Sequence, residues 1–238
     1  MAHSYGLDWI DEDALFRVTE KVFGSAIRKV EDRAGRVLPP DPFTVVAQAV
    51  LTDAPVADVL EFDRVRAINK TLSNAIGEWH QAVLGIAPNW RSLGANGGGV
   101  DIRTREGYLS PKWGKPVFAE VKNRFNTIKA SDEKDMWDKL DLLAKANEAV
   151  AYLIQIVPRT TERYDRPWKP SGRTERRTVR CCDGATAYDM VFERAGALRD
   201  LYEAFPLVMA DVVSGGPELP GGFSADDALR VFSDGLPL

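Results

Sequence analysis

Asp101 and the triplet Glu120-Val121-Lys122 are the residues of this chain whose types and spacing suit a definite chemistry. Eighteen residues lie between Asp101 and Glu120, enough for a hairpin-like connection that brings the chain back beside itself. Residues alternate faces along a strand, so Glu120 and Lys122 project to the same side. Two carboxylates that converge repel each other and become comfortable only with a cation between them. Hard oxygen ligands of this kind favour an ion such as Mg²⁺. A lysine alongside can hold, or help deprotonate, a water. Together these groups form a device for attack on phosphorus.

A Glu-x-Lys tripeptide alone says little, because a chain of this size and charge contains about one by chance. The plain reading is a solvated pair on an edge strand. Three coincidences favour the functional one. The triplet sits in the apolar run VFAEV, where charges need a reason. An aspartate follows a glycine-rich strand entry, GANGGG, at residues 94–99. Upstream, Lys70, Asn74, Glu78 and Gln81 share one side of a helical stretch, so Glu78 is placed to contribute a further acid. A plain surface glutamate explains Glu78 equally well. His80, beside Trp79, reads as a hydrogen-bonded structural residue rather than a general base.

The surrounding pattern supplies the elements that position these groups. Residues 11–34 repeat apolar positions at Leu15, Val18, Val22, Ala26 and Val30, which predicts an amphipathic helix. LPPDP at 38–42 breaks it, and 43–51 resumes as a short helix. A long helix is expected over 55–84, with Ile68, Leu72, Ile76, Trp79 and Val83 on its apolar face. Strands are expected at 100–104, 117–122 and 150–157, the last continuously apolar and so covered on both faces. A helix over 131–147 connects the second and third strands, and further helices are expected at 184–195, 197–213 and 224–233. The fold class expected is α/β: a mixed central sheet flanked by helices, with a helical N-terminal region. One domain over 1–238 is expected, helical to about residue 90, catalytic over about 91–195 and helical again over about 196–238.

Charge sharpens the choice of partner. The chain has 238 residues, with 31 Lys and Arg against 35 Asp and Glu, a net of −4. Its composition excludes wholesale disorder, and the two adjacent cysteines, Cys181 and Cys182, exclude a disulfide framework and fit a reducing cytosol. No apolar run approaches the ~20 residues of a membrane span, and no leader is visible, so a cytoplasmic protein without a membrane partner is expected. The net charge hides an uneven distribution. Residues 159–180 hold eight bases and three acids, whereas 181–238 hold three bases and ten acids. Lys169, Arg173, Arg176 and Arg177, with Tyr164 and Trp168 among the bases, suit phosphate contacts and stacking. A solvated loop is the bland alternative.

The spacing VD-(x18)-EVK resembles the D…(D/E)xK signature of the PD-(D/E)xK nuclease superfamily, which includes most type II restriction endonucleases. More specifically, NKTLSNAIGEWHQAVLG (69–85), EVKNRFNTIKAS (120–131), AYLIQIVPR (151–159) and YDRPWKPS (164–171) resemble the group of these enzymes that read GGNCC. One departure is Val100 where the superfamily's name has proline. The resemblance implies a restriction-endonuclease-like core with Asp101 and Glu120 binding Mg²⁺ together with the Val121 carbonyl. Lys122 would position or activate the attacking water. Glu78 would support the site. It also implies contacts to duplex DNA, phosphate or base, from Asn123, Arg124, Asn126 and Lys129. A homodimer is expected, with the C-terminal helices as its surface, and a cognate DNA methyltransferase as genetic partner. A structure-selective or repair nuclease on the same core and a DNA-binding module with a decayed site are the alternatives.

Overall fold

The computed structural model describes residues 3–35, 41–94, 99–129 and 131–237. Most of the expected 38–42 break lies outside them, as do the side chain of Val30 and the centre of the 94–99 glycine run. Seven helices and six strands follow along the described chain: α1 (Glu12–Gly35), α2 (Pro42–Thr52), α3 (Val56–Gly85), β1 (Trp90–Ser92), β2 (Ile102–Thr104), β3 (Val117–Arg124), α4 (Glu133–Ala146), β4 (Val150–Val157), β5 (Asp165–Pro167), β6 (Val179–Asp183), α5 (Gly184–Phe192), α6 (Ala197–Ser214) and α7 (Ala225–Gly235). The long periodic segments form where the pattern predicts them. Asp41 starts α2 by accepting the Phe43 N–H, with Pro42 in the first turn, where its missing N–H costs nothing.

The strands form one mixed sheet in the order β1-β2-β3-β4-β6-β5. β1, β2 and β3 are antiparallel; β3, β4 and β6 are parallel; β5 returns antiparallel along β6. The β2–β3 connection is the expected hairpin, and α4 is the crossover that lets β4 run parallel to β3. This is the α/β class expected, a mixed central sheet flanked by helices, consistent with the core that the resemblance implies.

Both faces of the sheet are covered, each by its own core. Val117, Ala119, Val121, Tyr152, Ile154 and Cys182 face the larger one, packed under α1, α3, α5 and α6. Phe118, Ala151, Leu153, Val179 and Cys181 face the smaller one, under α4. That alternation is why 150–157 reads as continuously apolar. Two glycines permit close approaches. A Cβ at Gly85 would sit 2.6 Å from the Ser92 backbone nitrogen, and one at Gly184 would sit 2.4 Å from the Ile156 carbonyl oxygen.

Two expectations need correction. Asp101 precedes β2 rather than lying within a 100–104 strand; its N–H donates to the Ala119 carbonyl at 3.2 Å, extending the pairing by one bond. Leu72 lies on the exposed side of α3, and Ala75 takes the buried position. Of the C-terminal helices expected to form a dimer surface, α6 buries Leu198, Leu201, Ala204 and Val208 in the chain's own core, while Val213 near its end and Val231 on α7 stay exposed. Large apolar side chains are also exposed on α2 and the first half of α3, from Phe43 and Leu51, each 85 % exposed, to Phe62 at 55 %. Among the described residues no single helix is long and apolar enough to cross a membrane.

Candidate active site

Hairpin β2–β3 brings Asp101 beside the middle of β3. The register pairs Ile102 with Ala119, so the residue before Ile102 meets the one or two after Ala119. Asp101 Oδ2 accepts the Val121 N–H at 2.7 Å, which fixes the carboxylate against the triplet. Glu120 points to the α4 face and is only 6 % exposed. Its Oε1 accepts from Lys122 Nζ at 2.7 Å. Its Oε2 accepts from Lys139 Nζ, on α4, at 2.9 Å. A buried carboxylate is tolerable on these terms, paired and hydrogen-bonded at both oxygens.

Asp101 reports on the crowding. Burial and the nearby charge of Glu120 raise its carboxyl above the usual range, while the Val121 N–H, Lys122 and Lys139 pull it partly back. Two carboxylates near enough to repel, one held by a backbone donor and the other by two ammonium groups, make a cluster whose charge a divalent cation would neutralise. Among the described residues, no three or more His, Cys, Asp or Glu gather where they could hold a metal. Mg²⁺ does not require such a group, because it is commonly held by one or two carboxylates with water and phosphate oxygens. Asp101, Glu120 and the Val121 carbonyl fit that requirement.

The remaining expected residues spread over several elements. Glu78 is exposed on α3, with no hydrogen-bond or ion-pair partner among the described residues. One helical turn on, Gln81 donates to the Val121 carbonyl at 3.4 Å, so this face of α3 does reach the triplet. His80 is buried, its Nδ1 2.7 Å from the Tyr188 hydroxyl and its ring edge-on to Trp79. Burial lowers its pKa to about 3, so it stands neutral as a structural residue.

At the end of β3, Asn123 donates to the Ser73 carbonyl on α3 at 3.4 Å. Arg124, Asn126 and Lys129 are exposed.

The basic segment is less free than its composition suggests. Arg180 lies buried in β6 and donates to Asp165 Oδ1 at 2.6 Å. Asp165 also accepts from Tyr152, whose hydroxyl takes the Trp113 N–H, so this pair belongs to a buried network across β4, β5 and β6. Arg163 pairs with Asp189. Arg173 makes a two-pronged bond to Asp138 on α4, and Arg176 lies 3.8 Å from Asp141 on the same helix. Lys169 and Arg177 are exposed and have no ion pair among the described residues.

Lys139 is the residue that sequence reasoning missed. On α4 it stands beside the buried positions Trp137, Leu140 and Ala144, and its ammonium meets Glu120 instead of solvent alone. The signal available was its place on the crossover helix that follows the triplet strand.

A family model described as the Eco47II restriction endonuclease matches residues 7–214. The chain is 30% identical over 226 residues to the type II restriction enzyme Eco47II of Escherichia coli, an alignment that spans 87% of this chain and 88% of that one. It is 24% identical over 182 residues to the type II restriction enzyme Sau96I of Staphylococcus aureus, spanning 72% of this chain and 66% of that one. Both alignments are longer than the 22-residue basic segment and the hairpin together, so the similarity extends to the helical scaffold.

Proposed function

Because the chain belongs to the Eco47II restriction endonuclease family of the PD-(D/E)xK superfamily, we propose that it cuts duplex DNA within GGNCC, with Mg²⁺ as the ion, leaving 5′-phosphate ends. Membership makes it a nuclease that acts on double-stranded DNA. The GGNCC site rests on the resemblance of the strings at 69–85, 120–131, 151–159 and 164–171. The observation that carries the catalytic assignment is Asp101 seated on the Val121 N–H, within reach of the charges of the buried Glu120 and of Lys122, which are themselves paired.

On this reading Asp101, Glu120 and the Val121 carbonyl hold the ion. Bound there, Mg²⁺ would neutralise charge on the phosphate and acidify water. Val121 N–H keeps Asp101 oriented, and Glu120 keeps the Lys122 ammonium beside the place of attack. Lys122 Nζ orients the attacking water and stabilises the negative charge it gains on losing a proton. Water gives a proton to surrounding solvent and adds to phosphorus in line, the bond to the 3′ oxygen breaks, and that oxygen takes a proton from solvent to leave as the 3′ hydroxyl. Glu78 supports the site from α3, through the side of the helix that Gln81 also occupies.

Asn123, Arg124, Asn126, Lys129, Lys169 and Arg177 contact the duplex. Arg173 and Arg176 join them by exchanging Asp138 and Asp141 for phosphate or guanine edges. The whole chain, 1–238, acts as one nuclease domain in the cytoplasm, with a methyltransferase protecting host DNA. Digestion of a plasmid in Mg²⁺ is expected to give discrete bands, whose run-off sequencing ends in GGNCC. A smear, or nicking confined to branched DNA, overturns the reading.

A nearly palindromic site calls for two copies related by a two-fold axis. The exposed face of α2 and early α3 suits a second copy. α2 bears no charged residue, and of the charges on early α3 Glu61 pairs with Arg64 and Asp63 with Arg66, which leaves Asp58 in the first turn. Such a face offers nothing to DNA and much to its own twin. Sedimentation is expected to find twice the 26.3 kDa chain mass, and the double substitution Phe43→Asp, Leu51→Asp to yield monomer. A monomeric parent protein, or an undisturbed dimer in the variant, places the contact elsewhere.

A further inference from the structure

Both oxygens of Glu120 are taken, and by lysines from different elements. Lys122 approaches from two residues along the same strand, at 2.7 Å from Oε1. Lys139 reaches across from α4, at 2.9 Å from Oε2. Each carboxylate oxygen has a second lone pair, so room for an ion exists, but a divalent ion and two ammonium groups crowded on one carboxylate repel one another. That repulsion favours release of one ammonium. Lys139 is the better placed to leave: its side chain is 35% exposed against 26% for Lys122, and its stem rises from a helix instead of the triplet strand.

Lys139 also borders the other half of the site. A Cβ built on Gly99 would lie 3.8 Å from Lys139 Cε, so the backbone that leads into Asp101 passes directly alongside the lysine stem. The preceding residue, Asp138, holds Arg173 of the basic segment. Lys139 therefore stands where the carboxylate pair, the entry to Asp101 and the arginine-bearing segment come together.

We propose that Lys139 is a second functional lysine of this site: it occupies Glu120 Oε2 while no metal is held, and turns to a phosphate of the bound duplex when a divalent ion takes that oxygen. The proposal rests on Asp101 and Glu120 being the metal pair. Once an ion neutralises those carboxylates, the strongest counter-charge left for a freed ammonium is the DNA backbone. A lysine that merely braced the fold would stay on Glu120 throughout.

Three measurements on the full chain test this with Lys139→Met and Glu120→Gln. Calorimetric titration of the DNA-free protein with Ca²⁺ is expected to show Lys139→Met binding the ion about tenfold more tightly than the parent, because a charge-assisted competitor is gone. Thermal unfolding of Lys139→Met is expected to fall below the parent without ion and to recover with it. Retention of duplex DNA in Ca²⁺ is expected to weaken, with the slope of log affinity against log salt shallower by about one, and Lys139→Arg to restore it. Unchanged ion affinity in Lys139→Met, with a melting loss that the ion does not repair, overturns the proposal and leaves Lys139 a structural residue. If Glu120→Gln abolishes ion binding in that case, Lys139 alone was misassigned. If Glu120→Gln binds the ion normally, the metal pair itself is wrong.

Discussion

Lys122→Ala and Asp101→Asn are each expected to lower the rate of DNA cleavage about 10³-fold, the scale on which proton-transfer and charge-stabilising groups contribute. Both should fold and retain duplex DNA in Ca²⁺. The two substitutions fail in different ways. Lys122→Ala leaves Glu120 with one ammonium partner, Lys139, so the buried charge is not orphaned and the protein should still fold, with a modest loss of stability like that expected of Lys139→Met. Asp101→Asn keeps an oxygen for the Val121 N–H, which Asp101 now satisfies at 2.7 Å, but removes one of the two carboxylate charges. Alanine at 101 would strand that N–H at a cost of about 1–3 kcal/mol, which is why asparagine is the cleaner change. Single-turnover cleavage, read beside filter binding, separates lost chemistry from lost binding. Either variant cutting at the parent rate removes the catalytic assignment.

Gly184→Ala is expected to destabilise the protein by about 3 kcal/mol, the upper end of overpacking, and so to lower Tm by about 6–12 °C for a chain of this size. The added Cβ would stand 2.4 Å from the Ile156 carbonyl oxygen and 2.8 Å from its Cα. Those are backbone atoms of a central strand and have little room to move. Nor can α5 retreat. Asp183 ties its first turn down by accepting from Thr186 N–H at 2.9 Å and Tyr164 N–H at 2.6 Å, and is itself fully buried. Gly24→Ala in α1 is the control. Its Cβ would meet only the end of the Arg28 side chain, at 3.6 Å, so helix propensity should raise stability by about 0.5–1 kcal/mol. Equal melting of the two variants would mean that the α5–β4 approach does not limit the fold.

The sequence made long elements and the triplet legible because both rest on local spacing. Apolar positions recurring every three or four residues mark α1 and α3 whatever they pack against. The alternation of faces makes Glu120 and Lys122 neighbours as soon as 117–122 is a strand. What stayed hidden depends on partners distant in sequence. β5 was missed because Asp165-Arg166-Pro167 has no apolar alternation and carries a proline, which only an edge strand tolerates. β1, three residues long, gives too short a pattern. Arg180 read as part of a surface charge island, yet it is buried against Asp165, fifteen residues earlier. The same is true of Lys139. A lysine on a helix looks solvated until the sheet that the helix crosses is known.

The adjacent cysteines carry one more consequence. Successive residues of β6 face opposite ways, so Cys181 lies in the core under α4 and Cys182 in the core under the other helices. Burial pushes the Cys181 thiol up to about 12 and Cys182 well above its ordinary value, which leaves both silent toward alkylating reagents in the folded protein. Each thiol is thereby a native gauge of one side of the sheet. Labelling at Cys181 without Cys182 would time the loosening of α4, the helix that bears Lys139, whereas simultaneous labelling would time the opening of the whole molecule.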